Sequence, residues 1–125
     1  MITYSEHSPQ TLEEAIKLVA DNLADEEIDF IKEHGAESAH HTAGQAIRNA
    51  WLWDNPKEGR VRPLAQHFRD RFGLGHADDM SNLILCGVTA SVKQVPYDPT
   101  PHVESSKKHW RGYNIDPLTQ ERLDG

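Results

Sequence analysis

The stretch Asp78-Asp79-Met80-Ser81-Asn82-Leu83-Ile84-Leu85-Cys86-Gly87-Val88-Thr89-Ala90-Ser91-Val92-Lys93-Gln94 decides the fold. Met80, Leu83, Ile84, Gly87, Val88, Ser91, Val92 and, just beyond, Val95 recur on a three-four repeat, the period of a helix with one inward face. That spacing predicts a long helix over 78–94 as the central core element. Gly87 sits at its middle, where glycine costs about 1 kcal/mol relative to alanine. A close helix crossing would justify the cost. The expected partner is the stripe Ala39, Ala43, Ala46 and Ala50, which lacks side-chain bulk, on a helix predicted over 36–53.

Helical period continues outward in both directions, and clean alternation is absent. Thr11 and Glu14 form a capping-box pair at the start of a first helix with Leu12, Ile16, Val19 and Leu23 inward. A second runs from Asp25 to Glu33, with Ile28 and Ile31 inward and His34-Gly35 ending it. Trp51, Leu52 and Trp53 cannot share one helical face, so one tryptophan closes a second cluster or sits at an interface. Asp54-Asn55-Pro56 is the expected stop. A helix over 60–72 presents Leu64, Phe68 and Phe72 to the core and Arg62, Arg69 and Arg71 to the outside. Thr100 and Pro101 read as cap and first turn of a helix to Arg111, with Val103, Ser106 and Trp110 inward. Asp116-Pro117 is expected to begin a last short helix. The fold class is all-α: a single compact domain over 1–125 of five to six helices in an irregular bundle, with 96–101 a Pro-rich link to the C-terminal helical segment.

Twenty acids face 13 lysines and arginines in 125 residues, a net charge of −7 with histidine neutral. This argues against direct nucleic-acid binding, which normally carries a basic surplus. Residues 1–40 hold ten of the acids and two bases, an acidic amino-terminal face. Arg60, Arg62, Arg69 and Arg71, with Lys57 near, read as a solvated face or a counterpart to those acids, within the molecule or across a homo-oligomer. The single Cys86 excludes an internal disulfide framework, fits a reducing compartment and reads as a buried, inert thiol. The first ten residues lack the pattern of a secretion signal. The longest weakly polar stretch, 83–92, falls short of the ~20 residues that span a bilayer. The expectation is a cytoplasmic protein without a membrane partner.

Chemistry concentrates in residues 40–53 and 76–81. On the predicted helix, Gly44 leaves a notch between His41 and Arg48, and a guanidinium beside such a notch can hold a carboxylate or phosphate. Asp78 is expected as the cap of the central helix. Asp79, turned inward, demands a donor, which Arg48 or a histidine supplies. The candidate ligand-binding residues are therefore His40, His41, Gly44, Arg48, Asn49, Trp51, His76, Asp78 and Asp79. His40, His41, His76, His109, Asp78 and Asp79 include the nitrogen and oxygen donors that zinc, manganese or iron take, without a diagnostic spacing. No nucleophile elbow or glycine-rich phosphate loop appears, so no catalytic residue is assigned and no cofactor is called for.

His40, Gly44, Ile47, Arg48, Asn49, Trp51, Leu52 and Trp53, followed by His76, Asp78, Asp79, Met80 and Ser81, form a joint pattern. It resembles a poorly characterised family of small bacterial and phage proteins of unknown function, over roughly residues 36–90. The resemblance implies a shared fold and no particular activity. Ala46 and Ala50 depart from the pattern and imply a locally repacked face. Size, acidity, the absence of a catalytic signature and this resemblance lead to a non-enzymatic interaction protein, a phage or mobile-element accessory that binds and inhibits a host protein. Two alternatives stand beside it: a small anion- or nucleotide-binding module built on His40 or His41, Arg48, Asn49 and Asp79, and a metal-dependent hydrolase using His40, His76, Asp78 and Asp79.

Overall fold

A computed structural model describes residues 3–54, 59 and 61–123. The described residues form six α-helices: α1 (Leu12–Asp21), α2 (Asp25–His34), α3 (Ala43–Ile47), α4 (Pro63–Phe72), α5 (Ala77–Val92) and α6 (Thr100–Gly112). Short 3-10 turns lie at Tyr4–Glu6 and Ala36–Ala39, and a π-helical turn, Arg48–Leu52, continues α3. The architecture is the expected all-α irregular bundle. Among the described residues, no helix is long and apolar enough to cross a membrane.

The central helix is α5. Besides the three-four repeat, Leu85, Cys86 and Ala90 are apolar, and all three are buried together with Met80, Ser81, Leu83, Ile84 and Val88. A helix apolar on most of its circumference must be wrapped. Helices α1 to α4 and α6 all pack on it. Its cap is not Asp78: His76 Nδ1 accepts the Asp78 backbone N–H at 3.0 Å, which leaves the Asp78 carboxylate free for another partner.

Gly87 meets α1, not the alanine stripe. A Cβ placed there would lie 2.1 Å from Cδ1 and 2.6 Å from Cγ1 of Ile16, and 3.2 Å from the ring of Tyr97. Thus α1 makes the close approach, with Leu12, Ala15 and Val19 buried beside it. The Thr11 hydroxyl accepts the Glu14 N–H at 3.1 Å as expected, while the Glu14 carboxylate takes the Gln10 N–H at 2.7 Å.

The continuous helix expected over 36–53 is broken. Gly35, at φ 81°, ends α2, the chain makes a 3-10 turn over Ala36–Ala39, and α3 begins only at Ala43. The Thr89 hydroxyl of α5 accepts the Ala36 N–H at 2.8 Å and donates to Glu37 at 2.7 Å, tying that turn to the core. The crowding of Trp51, Leu52 and Trp53 is relieved by the π turn, where the Trp53 N–H reaches back five residues to Arg48 O at 2.9 Å. Widening the turn buries both Trp51 and Leu52 and leaves Trp53 47% exposed.

Helix α4 starts at Pro63, and Asp54 ties down its entry by accepting the Arg62 N–H at 2.8 Å and the Arg69 guanidinium. Asn55, Pro56, Lys57 and Arg60, which figured in the expected stop, basic strip and helix start, lie outside the described residues. Arg71 pairs with Glu13 of α1, so part of the basic strip does answer the acidic first helix within the molecule. At α6 the Asp98 carboxylate, not Thr100, accepts the first N–H, that of Thr100, at 3.0 Å. Among the described residues no helix follows Asp116. Its carboxylate accepts the N–H groups of Leu118 and Thr119, and an isolated bridge pairs Ile115 with Arg122. This closing turn docks on the core through Gly75 N–H to Pro117 O at 2.9 Å.

Two outcomes test this packing. Overpacking at Ile16 typically costs 1–3 kcal/mol, more than the helix propensity that alanine adds, so Gly87→Ala should lower stability by about 1 kcal/mol in urea melts. In an Ile16→Ala background the same change should raise stability; equal effects in both backgrounds would contradict the contact. His67 Nε2 accepts the Leu12 N–H at 3.1 Å, joining α4 to the start of α1. Burial and then the Arg71 charge lower the His67 pKa from its ordinary 6.5, outweighing Glu13, Asp70 and Glu14. The unfolded chain therefore takes the proton first, so this contribution is complete above the unfolded value and is lost as pH falls through the folded one. Between about pH 7.5 and pH 5, His67→Gln should show a shallower fall in Tm than the wild type.

Candidate functional site

Arg48 is only 5% exposed, and its position on the π turn aims the guanidinium at the start of α5. Nη1 donates to Ser81 Oγ at 2.9 Å, Nη2 to the His40 carbonyl at 3.4 Å, and Nε lies 3.3 Å from Asp78 Oδ1. Ser81 is itself fully buried. The partner of Arg48 is thus Asp78, freed by the histidine cap, and not Asp79. Asp79 accepts the indole N–H of Trp110 at 2.7 Å, while His76 stacks on the Trp110 ring at 5.2 Å. Gly44 leaves room for this arrangement: a Cβ there would sit 3.1 Å from Arg48 Nη1, which would have to give by a few tenths of an ångström, and 3.6 Å from Leu85. The notch lies beside His40, whose Nδ1 is 3.7 Å from the same point, not beside His41.

The remaining candidates divide. His41 and Asn49 are exposed, His41 touching only the His40 ring edge-on at 5.1 Å among ring contacts. Trp51 is buried and donates its indole N–H to the carbonyls of Tyr4 at 2.9 Å and His7 at 3.1 Å, with the Tyr4 ring against its own. It fastens the amino-terminal segment to the bundle. No buried side-chain nitrogen or oxygen among the described residues lacks a partner. The guanidinium is spent on protein groups, the arrangement of a strut. Among the described residues no three His, Cys, Asp or Glu side chains converge as a metal would require. Burial, then Glu37, pushes the Cys86 thiol up to about 12, which leaves it protonated and unreactive at neutral pH.

An apolar groove of about 240 Å³ lies elsewhere, where the sequence named no site. Val19 of α1 and Leu23 of the link to α2 line it together with Phe30 and Ile31 of α2. Its floor is Ala36, Ala39 and Ala43, the last two from the stripe expected to meet Gly87, with Leu85 and Val88 of α5 behind them. Tyr4 closes one end, its phenol raised in pKa by burial and by Glu27. Glu26 and Glu27 stand on the rim. Phe30 is 49% exposed, its ring held by His34 at 4.8 Å. Two concavities of about 350 Å³ each run along α1; both include the Lys17–Asp21 ion pair and are more mixed in lining. The signal for the groove was present in the sequence as Phe30, a bulky apolar residue off the Ile28/Ile31 stripe, beside a run of alanines.

Residues 8–91 match the family model described as a domain of unknown function, DUF6794. The chain belongs to the DUF6794 family. The DUF6794 segment runs from before α1 to the last turn of α5, so it holds the Arg48 network and every groove residue except Tyr4. Helix α6 and the closing turn lie beyond it. No curated protein and no solved structure matches the chain.

Removing the strut should cost stability. One-sided loss of a buried ion pair costs 3–5 kcal/mol, and Asp78 is half in water, so Arg48→Ala should lose about 3 kcal/mol in urea melts. Arg48→Lys should recover only part of it, since an ammonium cannot reach Ser81, His40 O and Asp78 together. A stable Arg48→Ala protein would contradict the structural role.

Proposed function

We propose that this DUF6794 protein is a non-enzymatic interaction protein that holds a segment of another protein in the groove between α1, α2 and the alanine floor. The single observation that supports the reading is an open apolar concavity rimmed by polar groups, on a molecule whose dense polar cluster is occupied internally. Apolar surface of this kind is retained on a folded protein at sites that meet a partner. The Cys86 thiol is protonated and buried, and the Arg48 guanidinium is committed, so neither offers a reactive or anion-binding group to a small substrate. That the partner is a host protein, and the chain a phage or mobile-element accessory that inhibits it, rests on the sequence resemblance and the acidic charge.

Photocrosslinking in living cells tests the groove as the contact. A benzophenone amino acid replacing Phe30 should give discrete protein adducts. The same group at Tyr113, which is 69% exposed just after α6 and does not line the groove, should give few. Equal adduct patterns from the two positions would overturn the proposal.

A further inference from the structure

We infer that the occupant of the groove is a cationic amphipathic helix that inserts one bulky apolar side chain over the alanine floor. The inference rests on the reading of the groove as a protein contact and adds the chemistry of what enters it.

Backbone accounting selects a helix. The groove is walled by helices α1, α2 and α5, whose main-chain groups are bonded internally, and among the described residues there is no strand edge to extend. An extended peptide laid on such walls would leave its own N–H and C=O groups unpaired against apolar side chains. A helix satisfies its backbone itself and needs only an apolar face, which is the helix-in-groove mode of recognition.

Volume selects the anchor. A closed apolar cavity of about 150 Å³ holds a benzene ring, so a groove of about 240 Å³ takes one aromatic or leucine-sized side chain and part of its neighbour one turn away. Ala36, Ala39 and Ala43 admit that bulk because they contribute almost none of their own. Phe30, half-exposed at the lip, becomes covered when the helix docks.

Charge selects the sign. Glu26 and Glu27 are both on the rim, and neither has an ion-pair partner among the described residues. Asp25 and Asp29 add to them on α2, against Lys32 at the other end of that helix and Glu33 beside His34; the remaining base in residues 1–40, Lys17, is already paired with Asp21. A lysine or arginine flanking the anchor meets carboxylates at the rim, whereas an acidic helix meets repulsion.

Fluorescence anisotropy on the full chain tests this with model peptides. The probe is an 18-residue leucine–lysine helix with one phenylalanine on its apolar face; the controls are the same peptide with every lysine made glutamate and a scramble without an apolar face. The lysine helix should bind about tenfold or more tighter than either control, and more weakly as salt rises. Glu26→Lys, on the exposed side of α2, should weaken it several-fold while the chain stays folded, its Tm lowered only slightly by a cation in the first helical turn. Ala43→Leu, which fills the floor, should abolish it; if that variant unfolds, Glu26→Lys and the glutamate peptide still decide. Equal affinity for lysine and glutamate helices would overturn the inference, as would no binding of the lysine helix, or a self-associated chain whose dimer the peptide does not disrupt. If position 30 still crosslinks a protein while the lysine helix fails, the inference falls and the interaction reading stands. If position 30 also gives no specific adducts, both fall.

Discussion

The missing side chain at Gly87 lets Ile16 sink into α5, and that single close approach determines where everything else goes. With α1 seated on this face, the amino-terminal half of the bundle is anchored, and Tyr97 from the link to α6 closes over the same spot. The alanine run is consequently left without the partner its small side chains suit. It packs beside α5 through Ala36 and the Thr89 hydroxyl, and its remaining surface becomes the floor of a groove instead of a helix crossing. A packing choice at one glycine therefore opens the one apolar concavity that the functional reading uses.

The Arg48 network is a second constraint, of a different kind. A buried guanidinium is expensive unless every donor is matched and the geometry is good. Here a π turn supplies the direction, Gly44 the room, and Ser81, His40 O and Asp78 the acceptors. Histidine at the cap of α5 makes this possible, because it releases the Asp78 carboxylate to face Arg48. The same turn buries Trp51, whose indole N–H holds the amino-terminal segment and so positions Tyr4 at the end of the groove. Strut and groove are thus connected through the backbone of one irregular turn. Helix α6 joins from outside the family-matched segment through Trp110, stacked on His76 and bonded to Asp79.

Much of the helical layout was legible. Periodicity gave α1, α2, α4, α5 and α6 to within a few residues, because their apolar stripes, caps and glycine stops are local properties of the chain. What periodicity could not show was the break between Ala36 and Ala43 or the π turn, since Ala, His and Gln are compatible with a continuous helix and only the crowding of Trp51–Trp53 hinted at a change of register. The candidate residues His40, Gly44, Arg48 and Asp78 do converge. Asp79 goes to Trp110 and Asn49 to solvent, because one residue of shift along a helix turns a side chain by about 100° and changes its partner.

By itself, then, the sequence determined an all-helical chain with α5 at its centre, a buried thiol and an acidic first third, all consequences of composition and short-range spacing. Tertiary structure alone decided which small surface meets Gly87, which aspartate neutralises Arg48, and that the alanines line an open groove. Those outcomes depend on competition among distant segments for the same faces of one helix. Nothing in the order of residues along the chain reports who wins that competition.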